Sequence, residues 1–456
     1  MPEGASESSS RPKDSSTIEQ RPRTHPFAAP MRFRPLRSIL AALLLAAVLA
    51  VPSAPAQDLL IPMDEQQENH LKAYGAVYAT LQEGQTVDWL LNYRGGSFLT
   101  DATDAVRREL RVRGVSFRPV GAGEGAKIVS KVEADGSNMS VVPLEKAPEI
   151  AVYAPEGAVP WDDAVRLALE YAEVPHDIIY DKEVLNGDLS SYDWLHLHHE
   201  DFTGQFGKFI RYRNEPWYIQ KQNKAEAAAK EFGFRKVSEL KLAVSERIKQ
   251  YVSKGGFLFT MCSGTETLDI ALAAHQTDIV PEAYDGDPVD PNALDQLDYS
   301  NTLAFRDFTP NLNAQEYEHS NIDVGPPPPK MRDPTLDYFT LFEFSAKWDP
   351  VPTMLTQNHV STVEGFVGQT TAYNKSVLKE DVVVLAEAPD RPQVRYIHGT
   401  LGQGTFTFYS GHDPEDYQHF VGDPPTDMSL HPKSPGYRLI LNNILFPAAK
   451  KKKQKT

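Results

Sequence analysis

The sequence predicts a three-layer α/β domain, a mostly parallel sheet between helices, preceded by a small α+β module. From Glu149 onward, apolar strand-like runs alternate with amphipathic helical runs, the pattern of βαβ units and a parallel sheet. Between residues 57 and 146, one helix-like stretch is followed by short alternating runs separated by glycine turns. The chain of 456 residues leaves room for two or three such units of roughly 150 residues each.

Residues 1–30 are rich in Ser, Pro and charge and read as disordered, and Met31 reads as the true start. Arg32, Arg34 and Arg37 precede an apolar run from Ser38 to Val51. At about 14 residues it is too short to span ~30 Å of hydrocarbon comfortably. Ala54-Pro55-Ala56 then offers small residues where a signal peptidase reads, so 31–56 is expected to be a signal peptide cleaved before Gln57. An uncleaved N-terminal anchor is the alternative. The expected product is an exported protein, periplasmic or extracellular, with no membrane span after cleavage. The Lys-rich end, 448–456, reads as a disordered basic tail.

Within 57–146, Met63 to Leu81 reads as a helix, VDWLLNYRGGSFL as a strand and Gly-Gly turn, and GVSFRPV, AKIVSKVEA and NMSVVPL as strands. In the α/β part, EIAVYAP, HDIIYDKEV and SYDWLHLHHED read as strands, with WDDAVRLALEYA a helix between the first two. VSELKLAVSERIKQYVSKGG reads as a long helix with a Gly-Gly C-cap, and GFLFTMCSGTETLDIALAA as a strand running straight into a helix. Residues 281–380 hold an irregular insertion rich in Asp, Pro and Asn, including Pro326 to Pro329. DVVVLAE, VRYIHG and GTFTFYSG resume as strands, and PGYRLILNNILF closes the chain as a helix.

Composition excludes several functions. A net charge of -16, from 62 acids against 46 bases, argues against a nucleic-acid partner, because phosphate contacts need clustered Lys and Arg. A single cysteine excludes intramolecular disulfides and Cys-x-x-Cys zinc or redox motifs. Neither a P-loop nor a G-x-S-x-G serine elbow occurs. No cofactor is expected, and the substrate, a small molecule or glycan, is not legible.

Three places carry chemistry. Gly256 to Thr267 runs from a buried strand through Cys262 and Gly264 into a helix, the geometry of a nucleophile elbow, where the helix dipole lowers a thiol pKa and backbone N–H groups prepare an oxyanion hole. The alternative is a buried free cysteine. His412, at a strand end and followed by Asp413 and Glu415, has the arrangement of a general base with its orienting carboxylate, or of a loop histidine. His196-Leu197-His198-His199-Glu200-Asp201 closes the third strand, where open α/β sheets place ligands. His198, His199, Glu200, Asp201, Gly264 and Asp413 are the candidate pocket residues. His196, His198 and His199 are a metal candidate without a defined metal spacing.

The elbow and the late His-Asp-Pro-Glu resemble the class I glutamine amidotransferase-like superfamily, whose fold is flavodoxin-like. The run GTFTFYSGHDPEDY and the closing YRLILNNILF resemble its trehalose-utilisation-type branch more closely, over about residues 147–447 without 281–380. The likeness implies Cys262 as nucleophile, His412 as base and Glu415 as orienter, hence a cysteine-dependent hydrolase of amide or related bonds. In the resembled fold the end of the third strand faces the elbow, which implies that His198, His199, Glu200 and Asp201 line one pocket with Cys262 and His412. The spacing carries one inserted residue, Asp413, and members of that branch often lack the cysteine, so a non-catalytic binding or envelope protein is the alternative. LHLHHEDFTGQFGKF with FTMCSGTETLDIALAA is also similar to exported bacterial proteins labelled asparagine synthetase B. That chemistry is not expected, since the synthetase's N-terminal cysteine and pyrophosphate loop are absent.

Overall fold

The structure, a computed structural model, describes residues 57–158, 163–325, 334–349, 351–418, 420 and 423–450. The expected signal peptide, residues 1–30, Pro326 to Pro329 and residues 451–456 lie outside them.

The N-terminal module contains β1 (Gln57–Ile61), α1 (His70–Gln82), β2 (Val87–Leu91), β3 (Ser97–Asp101), α2 (Asp104–Val112), β4 (Arg118–Gly121), α3 (Ala122–Glu133) and β5 (Ser140–Leu144). Its five strands form an antiparallel sheet in the order β4-β1-β3-β2-β5. Asn69 caps α1 by accepting the Lys72 N–H at 2.9 Å, and Thr103 caps α2. The AKIVSKVEA run, expected as a strand, lies in α3. Ile128 and Val132, four apart, are buried while Ser130 between them is exposed, which fits one face of a helix and not one face of a strand.

The second sheet begins with β6 (Ile150–Tyr153), α4 (Ala164–Ala172), β7 (Asp177–Ile179), α5 (Asp181–Asn186), β8 (Trp194–Leu197), α6 (Pro216–Glu231), α7 (Val237–Ser253), β9 (Phe257–Met261) and α8 (Gly264–Ala273). After a short α9 (Glu282–Asp285) come β10 (Tyr338–Leu341), β11 (Thr362–Glu364), β12 (Tyr373–Asn374), β13 (Val383–Glu387), β14 (Gln393–Leu401), β15 (Gly404–Tyr409) and α10 (Pro435–Leu445). The segment expected to be irregular thus supplies β10, β11 and β12.

The strand order, β11-β10-β13-β14-β15-β9-β8-β6-β7 with β12 on β14, corrects the expected mostly parallel, flavodoxin-like three-layer fold. Only β7, β6, β8, β9 and β15 run parallel to one another; every pairing from β15 outward to β11 is antiparallel. The reason is local. Gly402 and Gln403 join β14 to β15 as a two-residue hairpin, Gly402 at φ +62°, and so short a link cannot make the crossover that a parallel pair needs.

The central strand β9 is buried along its whole length, as a strand covered on both faces must be. The closing helix α10 joins the two sheets. Ile440, Leu441 and Ile444 are buried, each contributing about 1.5–3 kcal/mol relative to exposure. Arg438, fully buried, donates to Tyr74 Oη at 3.1 Å and to the Met63 carbonyl at 2.8 Å, so the module and the larger sheet share one apolar core. Among the described residues no helix is long and apolar enough to cross a membrane.

Candidate active site

The expected elbow is present at the carboxyl end of β9. Cys262 has φ +49°, a left-handed conformation that a non-glycine residue holds at a cost of about 1–3 kcal/mol and that clusters at functional sites. Its N–H donates to the Gly411 carbonyl at 3.1 Å, tying the elbow to the end of β15. Gly264 donates to the His198 carbonyl at 2.8 Å, and a Cβ there would lie 2.5 Å from that same oxygen. Only glycine lets α8 start this close to β8. The Thr267 hydroxyl, donating to the Glu200 carbonyl at 3.0 Å, adds a second staple.

The thiol itself differs from expectation. Cys262 is 2 % exposed, and burial pushes its thiol up to about 11, outweighing the N–H of Gln369, which donates to Sγ at 3.3 Å. Desolvation disfavours the thiolate more than the helix start and backbone donors favour it.

His412 follows β15 and meets the end of β8. Its ring centroid lies 4.4 Å from that of His198, edge to face, and 6.1 Å from that of His199. His198, His199 and His412 each offer a ring nitrogen within 4.8 Å of the others, and His198 and His412 are buried. The two acids after His412 turn to other partners. Glu415 meets His431 Nδ1 at 2.9 Å, while Asp413 accepts from the Tyr437 and Thr426 hydroxyls, both at 2.8 Å, and from the Glu415 N–H at 2.9 Å. The expected His412–Glu415 pairing is therefore replaced by Glu415–His431. Asp413, bonded to Tyr437, anchors the loop to α10.

His196 does not belong to the set of His198, His199 and His412. Its Nδ1 donates to the Phe259 carbonyl at 3.0 Å, and its Nε2 lies 3.3 Å from Asp163 Oδ1. The same carboxylate oxygen stands 3.7 Å from His198 Nδ1 and caps α4 by accepting the N–H groups of Val165 and Arg166. Burial opposes ionisation of Asp163, but His196 and His198 beside it hold its carboxyl well below the usual range. The expected trio of His196, His198 and His199 is thus split: His196 pairs with Asp163, and His412 takes its place beside His198 and His199.

Glu200 accepts the Tyr180 hydroxyl at 3.2 Å and, with Asp163, Arg166, His198, His199 and Tyr153, lines a cavity of about 10 Å³ at the ends of β6 and β8. Behind it Lys241, buried, donates to Asp181 at 2.9 Å, Tyr153 at 2.9 Å and Tyr180 at 3.1 Å. Asp201 faces elsewhere. It accepts the Thr203 N–H and hydroxyl and the Gly207 N–H, which folds the 202–207 loop, and lies 3.8 Å from His319 Nε2. Asp163, Arg166, Tyr180 and Lys241 were missed by sequence reasoning. The one signal for Asp163 was its place as a helix-capping acid before an apolar run.

No family model and no curated protein matches the chain. Among solved structures it is similar to the cytoplasmic protein STM3548 from Salmonella typhimurium, at 12% identity and TM-score 0.32, covering 66% of this chain and 100% of that one. The cytoplasmic protein STM1381 from Salmonella typhimurium LT2 gives 12%, 0.30, 66% and 100% in the same terms. The GH42 β-galactosidase Gan42B gives 10% and 0.26, over 60% of this chain and 28% of that one. At these scores the likenesses assign neither fold nor function.

Proposed function

We propose that this chain is an exported hydrolase that works at the carboxyl ends of β6, β8 and β15 with a divalent transition metal held by His198, His199 and His412. One observation carries the reading: three imidazoles from two strand ends, far apart in the sequence, bring ring nitrogens within 4.8 Å of one another. A three-histidine set is the ligand count of catalytic zinc sites, which keep a fourth position open for water or substrate. When bound, the ion would supply Lewis acidity and lower the pKa of its water toward about 7.

The chain's own residues have separate tasks. Asp163, 3.7 Å from His198 Nδ1, lies beyond hydrogen-bond reach of that ring but would need only a small shift on metal binding to bond Nδ1 and leave Nε2 as the ligand atom, the common carboxylate–histidine arrangement behind a metal. Glu200, held by Tyr180 in the same cavity, is placed to take a proton from water or return it to a leaving group. This reading departs from the sequence expectation of no cofactor. Elemental analysis of the purified protein, with hydrolysis of a panel of amides, esters and glycosides before and after chelation, tests the reading. Stoichiometric metal and metal-dependent turnover support it; a metal-free protein with unchanged turnover overturns it.

A second reading, a cysteine-dependent acyl hydrolase, draws support from the left-handed backbone of Cys262 at the strand-to-helix elbow. The raised thiol weighs against it. Export is supported by the apolar run Ser38 to Val51 and by Ala54-Pro55-Ala56; cleavage before Gln57 leaves β1 whole. N-terminal sequencing of the secreted protein tests that step.

A further inference from the structure

Arg166 lies in the first turn of α4, is 7 % exposed, and lines the same cavity as His198, His199 and Glu200. Its Nη1 donates to the Ala158 carbonyl at 3.0 Å, but its buried Nε has no hydrogen-bond partner. Among the described residues no carboxylate pairs with its guanidinium. Nearby Asp163 spends Oδ1 on the helix cap and on His196. A guanidinium keeps its charge, and buried donors are nearly always paired, so an unpaired donor on a residue that lines a cavity marks a place for an acceptor.

We propose that Arg166 binds an oxyanion of the substrate, a carboxylate or a phosphate, and so selects anionic substrates for the hydrolase. The inference rests on the metal reading above. Asp163 and Glu200 line the same cavity, and alone they would outweigh Arg166 and repel an anion. With a divalent ion on the three histidines the balance reverses: ion and Arg166 together exceed the two carboxylates by one positive charge. Oxyanion binding should therefore require the metal. A cavity of about 10 Å³ admits roughly one water-sized group, so it receives the tip of the anionic group and leaves the substrate's body outside. A guanidinium edge suits that tip, because it offers fixed parallel donors to an oxyanion.

The test is calorimetric titration of the zinc-loaded protein with sodium acetate in one arm and inorganic phosphate in the other, repeated on Arg166→Gln, Arg166→Lys and metal-stripped protein. Saturable binding of one anion to the zinc form, lost without zinc and weakened about tenfold or more in Arg166→Gln at unchanged zinc content, is expected. Arg166→Lys keeps the charge and stem but not the fork, and should fall between. The arm that binds identifies the oxyanion. Failure to take up zinc overturns both readings. Zinc uptake with no anion binding, or with equal binding in a folded Arg166→Gln or Arg166→Lys, overturns this one alone.

Discussion

The His412 ring stands edge-on to the His198 ring, with centroids 4.4 Å apart and planes at 88°. Two strands that do not pair directly, β8 and β15, flank β9, and each delivers a histidine at its carboxyl end to the space above it. The elbow at Cys262 holds this spacing, because its N–H is bonded to Gly411 and the N–H of Gly264 to His198.

Removing one ligand should remove the metal. His412→Ala and His198→Ala are expected to carry no stoichiometric zinc, whereas Cys262→Ala should keep it. Zinc content by mass spectrometry of the native protein reads this out; zinc retained in both histidine variants would count against the cluster.

Asp163→Asn separates capping from ligand orientation. Asn caps a helix about as well as Asp, so stability should change by no more than about 1 kcal/mol. Zinc affinity should fall by about 10–100-fold, the usual effect of losing a carboxylate behind a histidine ligand. Competition with a chelating dye measures the affinity, and an unchanged value would assign Asp163 to structure alone.

Gly264→Ala should be costly, because the new Cβ meets the His198 carbonyl oxygen at 2.5 Å and Thr260 Cγ2 at 3.1 Å. Overpacking of this kind costs about 1–3 kcal/mol. Urea denaturation should show that loss, with weaker zinc binding because the His198 backbone is displaced. Ala tolerated without either change would show that the close approach is not required.

The native thiol should react slowly. With Cys262 pushed up to about 11, its alkylation by iodoacetamide at pH 8 should be slower than that of the unfolded chain, whose free thiol ionises near 8.5. A native rate that rises already below pH 8 would instead favour the cysteine-dependent reading.

Acid should destabilise the junction between the two sheets. His70 and His359 stack with centroids 4.3 Å apart beside Arg438, and burial first, then Arg438, pushes them down to about 3 and about 4. Both folded values lie below the unfolded value of about 6.5, so the unfolded chain binds more protons between these limits. Their contribution is fully present above pH ~6.5 and is lost as pH falls toward 4 and then 3. His359→Gln should flatten the dependence of unfolding free energy on pH between 6.5 and 4; a parallel curve would remove His359 from the account.

Several single elements were legible, though the fold class was not, because side-chain periodicity is a local property and strand pairing is not. The buried run Phe257 to Met261, the helix that follows it, and the closing helix Pro435–Leu445 lie where apolar spacing and turn residues put them. AKIVSKVEA was ambiguous, since a short apolar run fits a strand or a helix and tertiary packing of Ile128 and Val132 decides. The Gly402-Gln403 turn carries the signal for an antiparallel β14–β15 pair, a signal that strand alternation alone does not contain.

By itself the sequence determined which residues could do chemistry: Cys262 on an elbow, His412 after a late strand, and the histidines and acids that close β8. Only the tertiary structure decided their partners. Glu415 met His431, His196 met Asp163, and His412 joined His198 and His199, because pairing depends on which strands lie side by side and not on distance along the chain. Burial likewise raised the Cys262 thiol against the helix start that lowers it, since desolvation is set by everything packed around Sγ.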